Sequence, residues 1–442
     1  MPLSRPSNGL IIAAPSSGCG KTVITLGILK ALKLAGHRVA SAKVGPDYID
    51  TAYHTVATGR PSYNLDSWAM RPKTLLGLCT SLDECADLII CEGAMGLFDG
   101  ANSGVGSTAD VSALTGWPVI LVVDVSGQAA SAAAVIQGFV NHRPDIDLLG
   151  VIFNRVGGPS HRHSLETATL RVNPEISILG FVPRNESLYL PERHLGLVQV
   201  AEQEDFLQWL DTASSTLSIH IDLAQIANLA RPRCAGFHPP QTPLPPLGQH
   251  IAIADDPAFS FTYNSVLEGW RRQNAEISFF SPLYNEAPAQ AADSVYLPGG
   301  YPELHAAKLS SNHVFLEGLR AAATKAFIYG ECGGYMVLGK TLTDKAGKKY
   351  PMANLLPLET TFSDPKLQLG YRRAKTTKAT PFGPKGGEFN GHEFHYCRTI
   401  GKSPPADALF ECEDSTGNSI GQLGMLAGQV AGSFIHLIDR AK

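Results

Sequence analysis

The chain has 442 residues, of which 44% are hydrophobic and 17% charged, a composition typical of a folded globular protein too long for one ordinary core. Its formal net charge is −4 and it contains no long basic run, which argues against a nucleic-acid or membrane-surface partner. The longest apolar stretch, near PVILVVDV, is far shorter than the ~20 residues that span a bilayer, and the first residues do not resemble a signal peptide. We therefore expect a cytoplasmic protein with two domains.

The order of apolar runs predicts two α/β domains. Up to residue 230, short β-branched runs alternate with helical periods, which is typical of a mostly parallel sheet with helices on both faces. Clustered prolines in 231–248 disfavour helix and sheet and predict a linker. The alternation restarts in 249–442, so we predict a separate second domain there.

A glycine-rich segment, APSSGCGKTVIT, follows the first apolar run and opens a helical period, which is the context of a phosphate-binding loop. Gly18 and Gly20 would let backbone amides turn toward a polyphosphate, Lys21 would reach the outer phosphates, and Thr22 could hold Mg²⁺. The pattern departs from GxxxxGK[ST] because a proline takes the place of the first glycine. The alternative is a glycine-rich turn with a surface lysine, which the context disfavours.

Acidic residues that could complete a magnesium nucleotide site follow the next two predicted strands. AKVGPDYIDT offers Lys43, Asp47 and Asp50, and CEGAMGLFDG offers Glu92 and Asp99. Because the carboxyl ends of parallel strands share one edge of a sheet, we expect these groups to converge near the phosphate loop. Each acid taken alone could instead be a solvated or capping residue of a turn.

A cysteine in the second half has the surroundings of a nucleophile. Cys332 lies in YGECGGYMVLG between an apolar run and a helical period, the pattern of a strand-turn-helix elbow. We expect the helix N-terminus to lower the pKa of the thiol, the amide of Gly333 to face an oxyanion, and Gly299 or Gly300 to supply a second donor. The alternative is a buried structural thiol, as we expect for most of the eight scattered cysteines, which form no CxxC pair.

A nucleophilic cysteine needs a histidine from elsewhere in the sequence. AGSFIHLIDRAK places His436 directly after a strand-like run, and NGHEFHYC supplies His392 and His395 as competitors. A lone histidine is more often structural than catalytic, but the elbow favours a catalytic partner. We favour His436 as the base and expect the other two to shape the pocket.

Eight motifs now suggest a family: GCGKT, KVGPDYID, EGAMGLFDG, RHLGL, LPGGYPE, GECGGYM, GHEFHY and GSFIHL. In this order across nearly the whole chain, they resemble the glutamine-dependent a,c-diamide synthases of cobalamin biosynthesis, which act on cobyrinic or hydrogenobyrinic acid. The related cobyric acid synthases should lack the EGAMGLFDG form. The SFIHLIDR ending favours hydrogenobyrinic acid as the acceptor, with cobyrinic acid and the nickel-sirohydrochlorin enzymes as alternatives.

The resemblance implies a P-loop, dethiobiotin-synthetase-like ATP domain in 1–230 and a class I glutamine amidotransferase-like α/β domain in 249–442. It implies a carbon–nitrogen ligase that uses ATP, Mg²⁺ and L-glutamine to convert the a and c acetate groups of a corrinoid to carboxamides. ATP would activate each carboxylate as an acyl phosphate, and ammonia released from glutamine would displace the phosphate. The sequence leaves the oligomeric state open, a homodimer being one option.

The resemblance also implies roles for individual residues. By motif match, Lys21, Thr22, Asp47 and Glu92 would hold Mg-ATP, with Thr22, Asp47 and Glu92 at the metal and Gly18 and Gly20 in the loop around the phosphates. Apart from these motifs, the strand-like run GVIFNRV carries Asn154, whose amide could bind ATP by reading a purine edge, although an asparagine at a strand end is more often a turn residue. The substrate or intermediate would contact Lys43, Tyr48, Asp50, Asp99, Arg193 and His194. The glutaminase site would contain Cys332 and His436, with Gly300 and Gly333 in the oxyanion hole. Many class I enzymes carry His-x-Glu, but Ile438 replaces that glutamate here, so the group that orients His436 is open.

Two other functions compete with this interpretation. A MinD-like nucleotide-switch ATPase with an inactive amidotransferase-like domain would hydrolyse ATP without a carboxylate acceptor. A cysteine hydrolase would not need ATP at all, and the intact GKT sequence argues against it.

Overall fold

The described chain divides into two compact units. The computed structural model describes residues 7–193, 196–401 and 408–441, with the backbone alone for 192, 193, 196 and 197. The first unit comprises the chain up to Trp68, Pro72–Gly100 and Gly104–Gln241, and the second comprises Ala69–Arg71, Ala101–Ser103 and the chain from Thr242. Among these residues, no helix is both long and apolar enough to cross a bilayer.

The first unit contains the predicted parallel sheet. Its strand order is β3-β2-β4-β1-β5-β6-β7, and a short β10 pairs antiparallel with β1. A strand such as VILVVD is buried along most of its length, because parallel strands have helices on both faces. In chain order, the strands of this unit are β1 (Asn8–Ala13), β2 (Val39–Val44), β3 (Tyr63–Leu65), β4 (Leu88–Glu92), β5 (Val119–Asp124), β6 (Leu148–Val156), β7 (Ser177–Pro183), the hairpin β8 (Glu192–Arg193) and β9 (Gly196–Leu197), and β10 (Arg231–Pro232).

Helices connect these strands, and local capping residues fix where two of them begin. Oδ1 of Asp47 accepts from the amide of Ile49 at the start of α2, and Ser107 and Asp110 form a capping box at the start of α4. Both helices follow strand ends that carry predicted site residues. The helices are α1 (Lys21–Leu34), α2 (Tyr48–Thr58), α3 (Pro72–Cys85), α4 (Thr108–Thr115), α5 (Ala132–His142), α6 (Pro159–Val172), α7 (Phe206–His220) and α8 (Leu223–Leu229), with 3-10 turns at Glu186–Leu188 and Val200–Glu202.

The stretch predicted as a linker, 231–248, is not entirely free of sheet. Arg231 lies opposite Gly9 and Pro232 opposite Asn8 in a two-residue antiparallel pair. A proline lacks an N–H donor but keeps its carbonyl, so it is tolerated at such a short edge. From residue 233 to 249 the chain forms no helix or strand.

The second unit is also α/β, and its main sheet has the order β12-β11-β13-β14-β24-β23, parallel except for the last pair. Its strands are β11 (His250–Ala254), β12 (Glu276–Phe280), β13 (Ser294–Leu297), β14 (Phe327–Glu331), β23 (Met425–Ala427) and β24 (Val430–Ser433). Its helices are α9 (Asn264–Arg272), α10 (Ala306–Ser311), α11 (His313–Ala322) and α12 (Gly333–Leu338), with 3-10 turns at Pro282–Tyr284 and Pro302–Leu304.

Two further sheets, one mixed and one antiparallel, complete the second unit, and we did not predict them. One has the order β16-β15-β17-β20, and the other β22-β21-β18-β19-β25. His436 lies inside β25, whereas we expected it after a strand, because the chain leaves β24 at Ser433 and enters β25 at Ile435. The strands are β15 (Thr341–Thr343), β16 (Lys349–Pro351), β17 (Glu359–Thr361), β18 (Gln368–Thr376), β19 (Glu388–His395), β20 (Arg398–Thr399), β21 (Phe410–Asp414), β22 (Ser419–Leu423) and β25 (Ile435–Arg440).

Candidate active sites

The glycine-rich loop connects β1 to α1 through a tight turn. Gly18 has φ 79° and Gly20 has φ 88°, in the left-handed region that favours glycine. Gly20 also has no room for a side chain, because a β-carbon placed on it would lie 2.4 Å from Nδ2 of Asn154. The next residue, Lys21, begins α1. The loop therefore has the shape that a phosphate cradle requires.

The Lys21 side chain folds onto neighbouring backbone carbonyls. Its Nζ donates to the carbonyl of Met95 at 2.5 Å and to that of Ser16 at 3.3 Å. Burial lowers the pKa of Lys21, and the positive charge of Lys43 acts in the same direction. The loop that follows β4 thus reaches the phosphate loop and holds its lysine.

Glu92, the last residue of β4, is the centre of a buried charged cluster. Its Oε1 accepts from Oγ1 of Thr22 at 2.6 Å and from Nζ of Lys43 at 2.8 Å, and its Oε2 lies 2.7 Å from Nε2 of His54. Burial acts to raise the pKa of Glu92, but Lys43 and His54 outweigh it and hold that pKa below its ordinary value. The carboxylate therefore stays ionised while fully buried.

Lys43 joins this cluster to the helix that follows β2. Its Nζ lies 2.5 Å from Oδ2 of Asp50 as well as 2.8 Å from Glu92. Burial acts to lower the pKa of Lys43, but the charges of Asp50 and Glu92 raise it above its ordinary value. Burial raises the pKa of Asp50 to about 7, and the neighbouring Asp47 adds to the effect. The structure thus brings the predicted groups of two strand ends into direct contact.

His54 is a member of this cluster that the sequence analysis missed. It lies one helical turn after Asp50 on α2, so both side chains share one face of the helix. It is fully buried, and in the described part of the chain its Nδ1 has no hydrogen-bond partner. The spacing of four residues after a predicted site acid was the signal that could have found it.

Two predicted acids have structural hydrogen bonds. Oδ1 of Asp47 accepts from the amides of Ile49 at 2.8 Å and Asp50 at 3.3 Å. Oδ2 of Asp99 accepts from the amide of Gly96 at 2.8 Å and so closes the loop after β4. Each carboxylate therefore shapes a loop of the site, in line with the capping alternative. Metal binding by Asp47 and substrate contact by Asp99 remain predictions.

Asn154 supports the phosphate loop from β6. Its Nδ2 donates to the carbonyl of Cys19 at 2.8 Å, and its Oδ1 accepts from the amide of Arg155 at 3.0 Å. Both ends of the amide are thus engaged by backbone, because β6 runs directly beside the loop. Purine recognition by Asn154 stays a prediction.

The structure describes only some of the residues that we predicted to contact the acceptor. Tyr48 is the first residue of α2, next to Asp47 and close to the charged cluster in sequence. The backbone of Arg193 belongs to β8, but its side chain is outside the description, and His194 lies outside the described residues. Their contact with a substrate stays a prediction.

The oxygen atoms of the first site suit a magnesium ion that arrives with a nucleotide. Within the described residues, no group of three or more histidine, cysteine, aspartate and glutamate side chains converges as a metal site. Thr22 and Glu92, which are in contact at 2.6 Å, and Asp47 offer a hydroxyl and two carboxylates. Mg²⁺ usually takes one or two such hard ligands together with substrate phosphates and waters. The donor set therefore fits a nucleotide-borne Mg²⁺.

Cys332 is held on a strained turn between β14 and α12. Its backbone has φ 47° and ψ −102°, a conformation that is costly for a residue with a β-carbon. Its amide donates to the carbonyl of Ser433 at 2.8 Å, and its carbonyl accepts from the amide of Met336 at 3.0 Å. The neighbouring strand and helix therefore fix the strained residue, as in a nucleophile elbow.

Gly299 shows that Cys332 and His436 are neighbours. A β-carbon placed on Gly299 would lie 2.4 Å from Cε1 and 3.2 Å from Nε2 of His436, and 3.4 Å from the β-carbon of Cys332. Glycine is needed here because both side chains approach the backbone closely. The cysteine and histidine that we favoured from sequence are thus brought together, with the Nε2 edge of the imidazole nearest Gly299.

The two glycines assigned to the oxyanion hole also lie side by side. A β-carbon placed on Gly333 would lie 3.0 Å from the backbone nitrogen of Gly300, and one placed on Gly300 would lie 2.2 Å from the carbonyl oxygen of Ala258. Neither position can carry a side chain without movement of the backbone. Their amides are therefore in the right neighbourhood to stabilise an oxyanion, a role that stays a prediction.

The expectation of a lowered thiol pKa is wrong for this structure. Burial raises the pKa of the Cys332 thiol well above its ordinary range, and the charge of Glu303 acts in the same direction. A hydrogen bond from the amide of Gly333 opposes the shift but does not reverse it. The six-residue helix α12 is too weak a source of positive potential to offset a side chain that is only 4% exposed.

A carboxylate that the sequence analysis missed lies beside His436. Oε2 of Glu331 is 3.7 Å from Nδ1 of His436 and accepts from the hydroxyl of Tyr296 at 2.8 Å. Its Oε1 accepts from the amide of Leu437 at 3.2 Å. The acid immediately before Cys332 in the sequence was the available signal.

The two competing histidines flank the site. His392 lies directly opposite His436 in the pairing of β19 with β25, and burial, followed by the charge of His436, lowers the pKa of His392 to about 3. Nε2 of His395 lies 2.9 Å from Oε1 of Glu393, and its ring stacks on Phe434 at 4.0 Å. His392 is therefore neutral at ordinary pH, and His395 is engaged by other side chains.

Two family models match the chain, one in each half. A CobQ/CobB/MinD/ParA nucleotide binding domain matches residues 10–198, and a CobB/CobQ-like glutamine amidotransferase domain matches residues 250–442. Both matches confirm the predicted α/β fold class and the pairing of a nucleotide-binding domain with an amidotransferase domain.

Curated relatives match almost the full length. The hydrogenobyrinate a,c-diamide synthase of Brucella anthropi is 48% identical over 434 residues, covering 98% of this chain and 98% of the relative. The enzyme of the same name from Rhizobium meliloti is 46% identical over 433 residues, covering 98% of this chain and 99% of the relative.

Solved structures show weaker likeness. A glutamine amidotransferase is 12% identical with a TM-score of 0.29, covering 43% of this chain and 90% of that chain. Chloroplast FtsY from Physcomitrella patens is 18% identical with a TM-score of 0.31, covering 48% of this chain and 66% of that chain. Likeness at these TM-scores says nothing about function.

Proposed function

The chain belongs to the family of hydrogenobyrinate a,c-diamide synthases, and from this premise we propose that it amidates the a and c acetate groups of a corrinoid, with hydrogenobyrinic acid as the preferred acceptor. It is a glutamine-dependent amidating ligase with a nucleotide-binding domain. The near-complete coverage of both domains in the relatives supports transfer of the whole activity to this chain. We propose ATP and L-glutamine as its cosubstrates.

The first step that we propose is activation of the acceptor carboxylate. A carboxylate is a poor electrophile because its charge is delocalised and oxide is a bad leaving group. Its oxygen would attack the γ-phosphorus of ATP, releasing ADP and forming an acyl phosphate. Lys21 would move from its backbone carbonyls to the outer phosphates, and Lys43 would stabilise charge as it develops.

The hydroxyl of Thr22 and the carboxylates of Glu92 and Asp47 would hold Mg²⁺, which supplies neutralising charge at the phosphates. Lys43 and His54 keep the Glu92 carboxylate ionised and fix its orientation through Oε1 and Oε2 respectively. Asp50, with a pKa near neutrality, and Asp99 are the groups that we propose next to the acceptor, together with Tyr48, Arg193 and His194.

The second step that we propose is the release of ammonia from glutamine. Sγ of Cys332 would attack the carboxamide carbon while His436 takes the thiol proton and delivers it to the leaving ammonia. Water then hydrolyses the glutamyl thioester. The amides of Gly300 and Gly333 would stabilise both oxyanions.

In the last step that we propose, ammonia attacks the acyl carbon, the bond to the phosphate oxygen breaks, and one proton passes from nitrogen to the departing phosphate. Free ammonia is mostly protonated at neutral pH and then is not a nucleophile, so release from glutamine provides the reactive, unprotonated form. The observation that carries the proposal is that one chain contains both sites. The first has a phosphate loop whose Thr22 contacts the buried Glu92, and the second has Cys332 on a strand-turn-helix elbow beside His436.

The decisive experiment incubates the enzyme with ATP, Mg²⁺, glutamine and either hydrogenobyrinic or cobyrinic acid, and counts amidations by mass spectrometry. We expect two amidations, faster with hydrogenobyrinic acid. Cys332→Ala should lose the reaction with glutamine and keep it with ammonium chloride. ATP hydrolysis at the same rate with and without the acceptor, and without amide product, would contradict the proposal.

A further inference from the structure

Glu331 lies where His436 needs an orienting carboxylate, and we propose that it is the positioning residue of the glutaminase site. The inference rests on the proposed glutaminase function of Cys332 and His436. Position 438, where many class I enzymes carry that carboxylate, is an isoleucine here. The structure offers a different acid, contributed by the last position of β14, one residue before the nucleophile.

The contacts of Glu331 fix it firmly on the Nδ1 side of the imidazole. Oε2 is 3.7 Å from Nδ1 of His436 and accepts from the hydroxyl of Tyr296 at 2.8 Å. Oε1 accepts from the amide of Leu437, the residue after His436. Glu331 is only 3% exposed, so water does not compete for these oxygens.

The two edges of the imidazole then face the two groups that the chemistry requires. Nε2 lies 3.2 Å from a β-carbon placed on Gly299, which would itself lie 3.4 Å from the β-carbon of Cys332, and Nδ1 lies on the side of Glu331. A carboxylate at Nδ1 selects the tautomer with the proton on Nδ1, so that Nε2 is unprotonated and can accept the thiol proton, and it stabilises the imidazolium that forms.

The distance of 3.7 Å is longer than a hydrogen bond, and such bonds commonly tighten only when substrate is bound. A small rotation of the ring is enough, because Glu331 itself is held from both sides. Among the described residues, the Cys332 thiol at the elbow and His392 on β19 also face His436, and His392 is neutral at ordinary pH.

The test is Glu331→Gln, assayed for glutaminase activity and for amidation with ammonium chloride. Glutamine keeps the shape and an acceptor for Leu437, but its amide group favours the wrong tautomer. We expect kcat for glutamine hydrolysis to fall roughly 100-fold and KM to stay within about twofold of the wild-type value. The expected loss is smaller than the ~10⁴-fold loss on replacing the triad aspartate of a serine protease by asparagine, because the contact between Glu331 and His436 is longer. Amidation with ammonia should be unchanged. Glu276→Gln, an exposed glutamate on β12, is the matched control and should keep full activity.

A pH profile separates positioning from packing. Loss of the negative charge in Glu331→Gln destabilises the imidazolium, so the limb of the profile that reports His436 should move to lower pH. Tyr296→Phe removes a hydrogen bond but keeps the carboxylate, so kcat should fall only a few-fold without that movement. Tyr296→Phe also tests the proposal if Glu331→Gln fails to fold.

A Glu331→Gln enzyme with a kcat within about threefold of wild type, or with a loss expressed in KM alone, would overturn the inference and leave the proposed function intact. So would a Tyr296→Phe enzyme whose kcat is unchanged. Failure of the proposed function is distinct, because wild type would then form no amide with either nitrogen donor.

Discussion

The two candidate sites are prepared in opposite ways. In the first unit, Lys43 contacts the carboxylates of both Asp50 and Glu92, so charge is already in place before any ligand arrives. In the second unit, Cys332 is a neutral buried thiol on a strained turn, and the glycines around it leave room for closely packed side chains. Phosphoryl transfer needs stabilisation of several charges, whereas attack by a thiol needs the sulfur, the base and the carboxamide carbon in an accurate mutual geometry.

The comparison teaches which kind of substitution each site should tolerate. Removing one charge should damage the first site most, because the remaining charges lose their partner in a buried cluster. Adding one methyl group should damage the second site most, because its backbone and side chains are already in contact. Separate assays for glutamine hydrolysis and for ammonia-supported amidation distinguish the two effects.

The largest effect is expected from Lys21→Ala. Amidation should fall by ~10³-fold or more with either nitrogen donor, because the outer phosphates lose their main positive partner, while glutamine hydrolysis continues. Product formation by mass spectrometry and glutamate release measure the two activities. Lys33→Ala, an exposed lysine in the last turn of the same helix, is the control and should behave as wild type. Equal loss of both activities would contradict the separation of the sites.

Gly299→Ala should show the reverse pattern. The new methyl group would lie 2.4 Å from Cε1 of His436, so the imidazole must shift, and glutamine hydrolysis should fall about 100-fold. Ammonia-supported amidation should be unaffected. Gly138→Ala is the control, since a β-carbon on Gly138 meets nothing within 4 Å and the position is helical. Retention of full glutaminase activity in Gly299→Ala would mean that the imidazole is not confined as described.

His54→Ala should weaken the first site more mildly than Lys21→Ala. Oε2 of Glu92 would lose its contact at 2.7 Å, and we expect ammonia-supported amidation to fall about tenfold with a higher Mg²⁺ requirement. Glutamine hydrolysis should not change. The exposed His37→Ala is the comparison variant, and an unchanged Mg²⁺ requirement in His54→Ala would argue against its support of Glu92.

The smallest effect concerns stability at the elbow. Glycine adopts φ 47°, ψ −102° more readily than any residue with a β-carbon, so the glycine variant should gain ~1–2 kcal/mol of stability over the alanine variant from relief of strain. This gain should offset the ~0.8 kcal/mol that the glycine variant loses because it lacks the buried methyl group of alanine. Cys332→Gly should therefore be at least as stable as Cys332→Ala in urea unfolding, although both lack glutaminase activity. A clearly less stable glycine variant would show that the turn is not strained.

Local patterns in the sequence predicted the elements that depend on neighbouring residues. Adjacent glycines indicated the turn before Lys21 and the turn around Cys332. The alternation of runs predicted the parallel sheet of the first unit and the α/β class of the second. The convergence of Lys43, Asp50 and Glu92 followed from the rule that parallel strands end at one edge.

The remaining features depend on partners far apart in the sequence. His436 and Glu331 are 105 positions apart in the sequence. They lie close together because the amide of Leu437 donates a hydrogen bond to the side chain of Glu331, which no local pattern indicates. The pKa of Cys332 depends on how completely the fold buries it, and burial outweighs the short helix. Periodicity likewise could not indicate the hydrogen bond from Asn154 to the carbonyl of Cys19 or the two additional sheets of the second unit.

The buried, protonated thiol has a consequence for the idle enzyme. Oxidants and alkylating agents react with the thiolate, and a thiol that is deprotonated only with a substrate in place is a poor target for them. An enzyme waiting for its acceptor should therefore resist inactivation by peroxide better than one with a permanently ionised cysteine. In the mechanism proposed above, the thiol passes its proton to His436 in each attack, so the same feature would restrain the wasteful consumption of glutamine between turnovers.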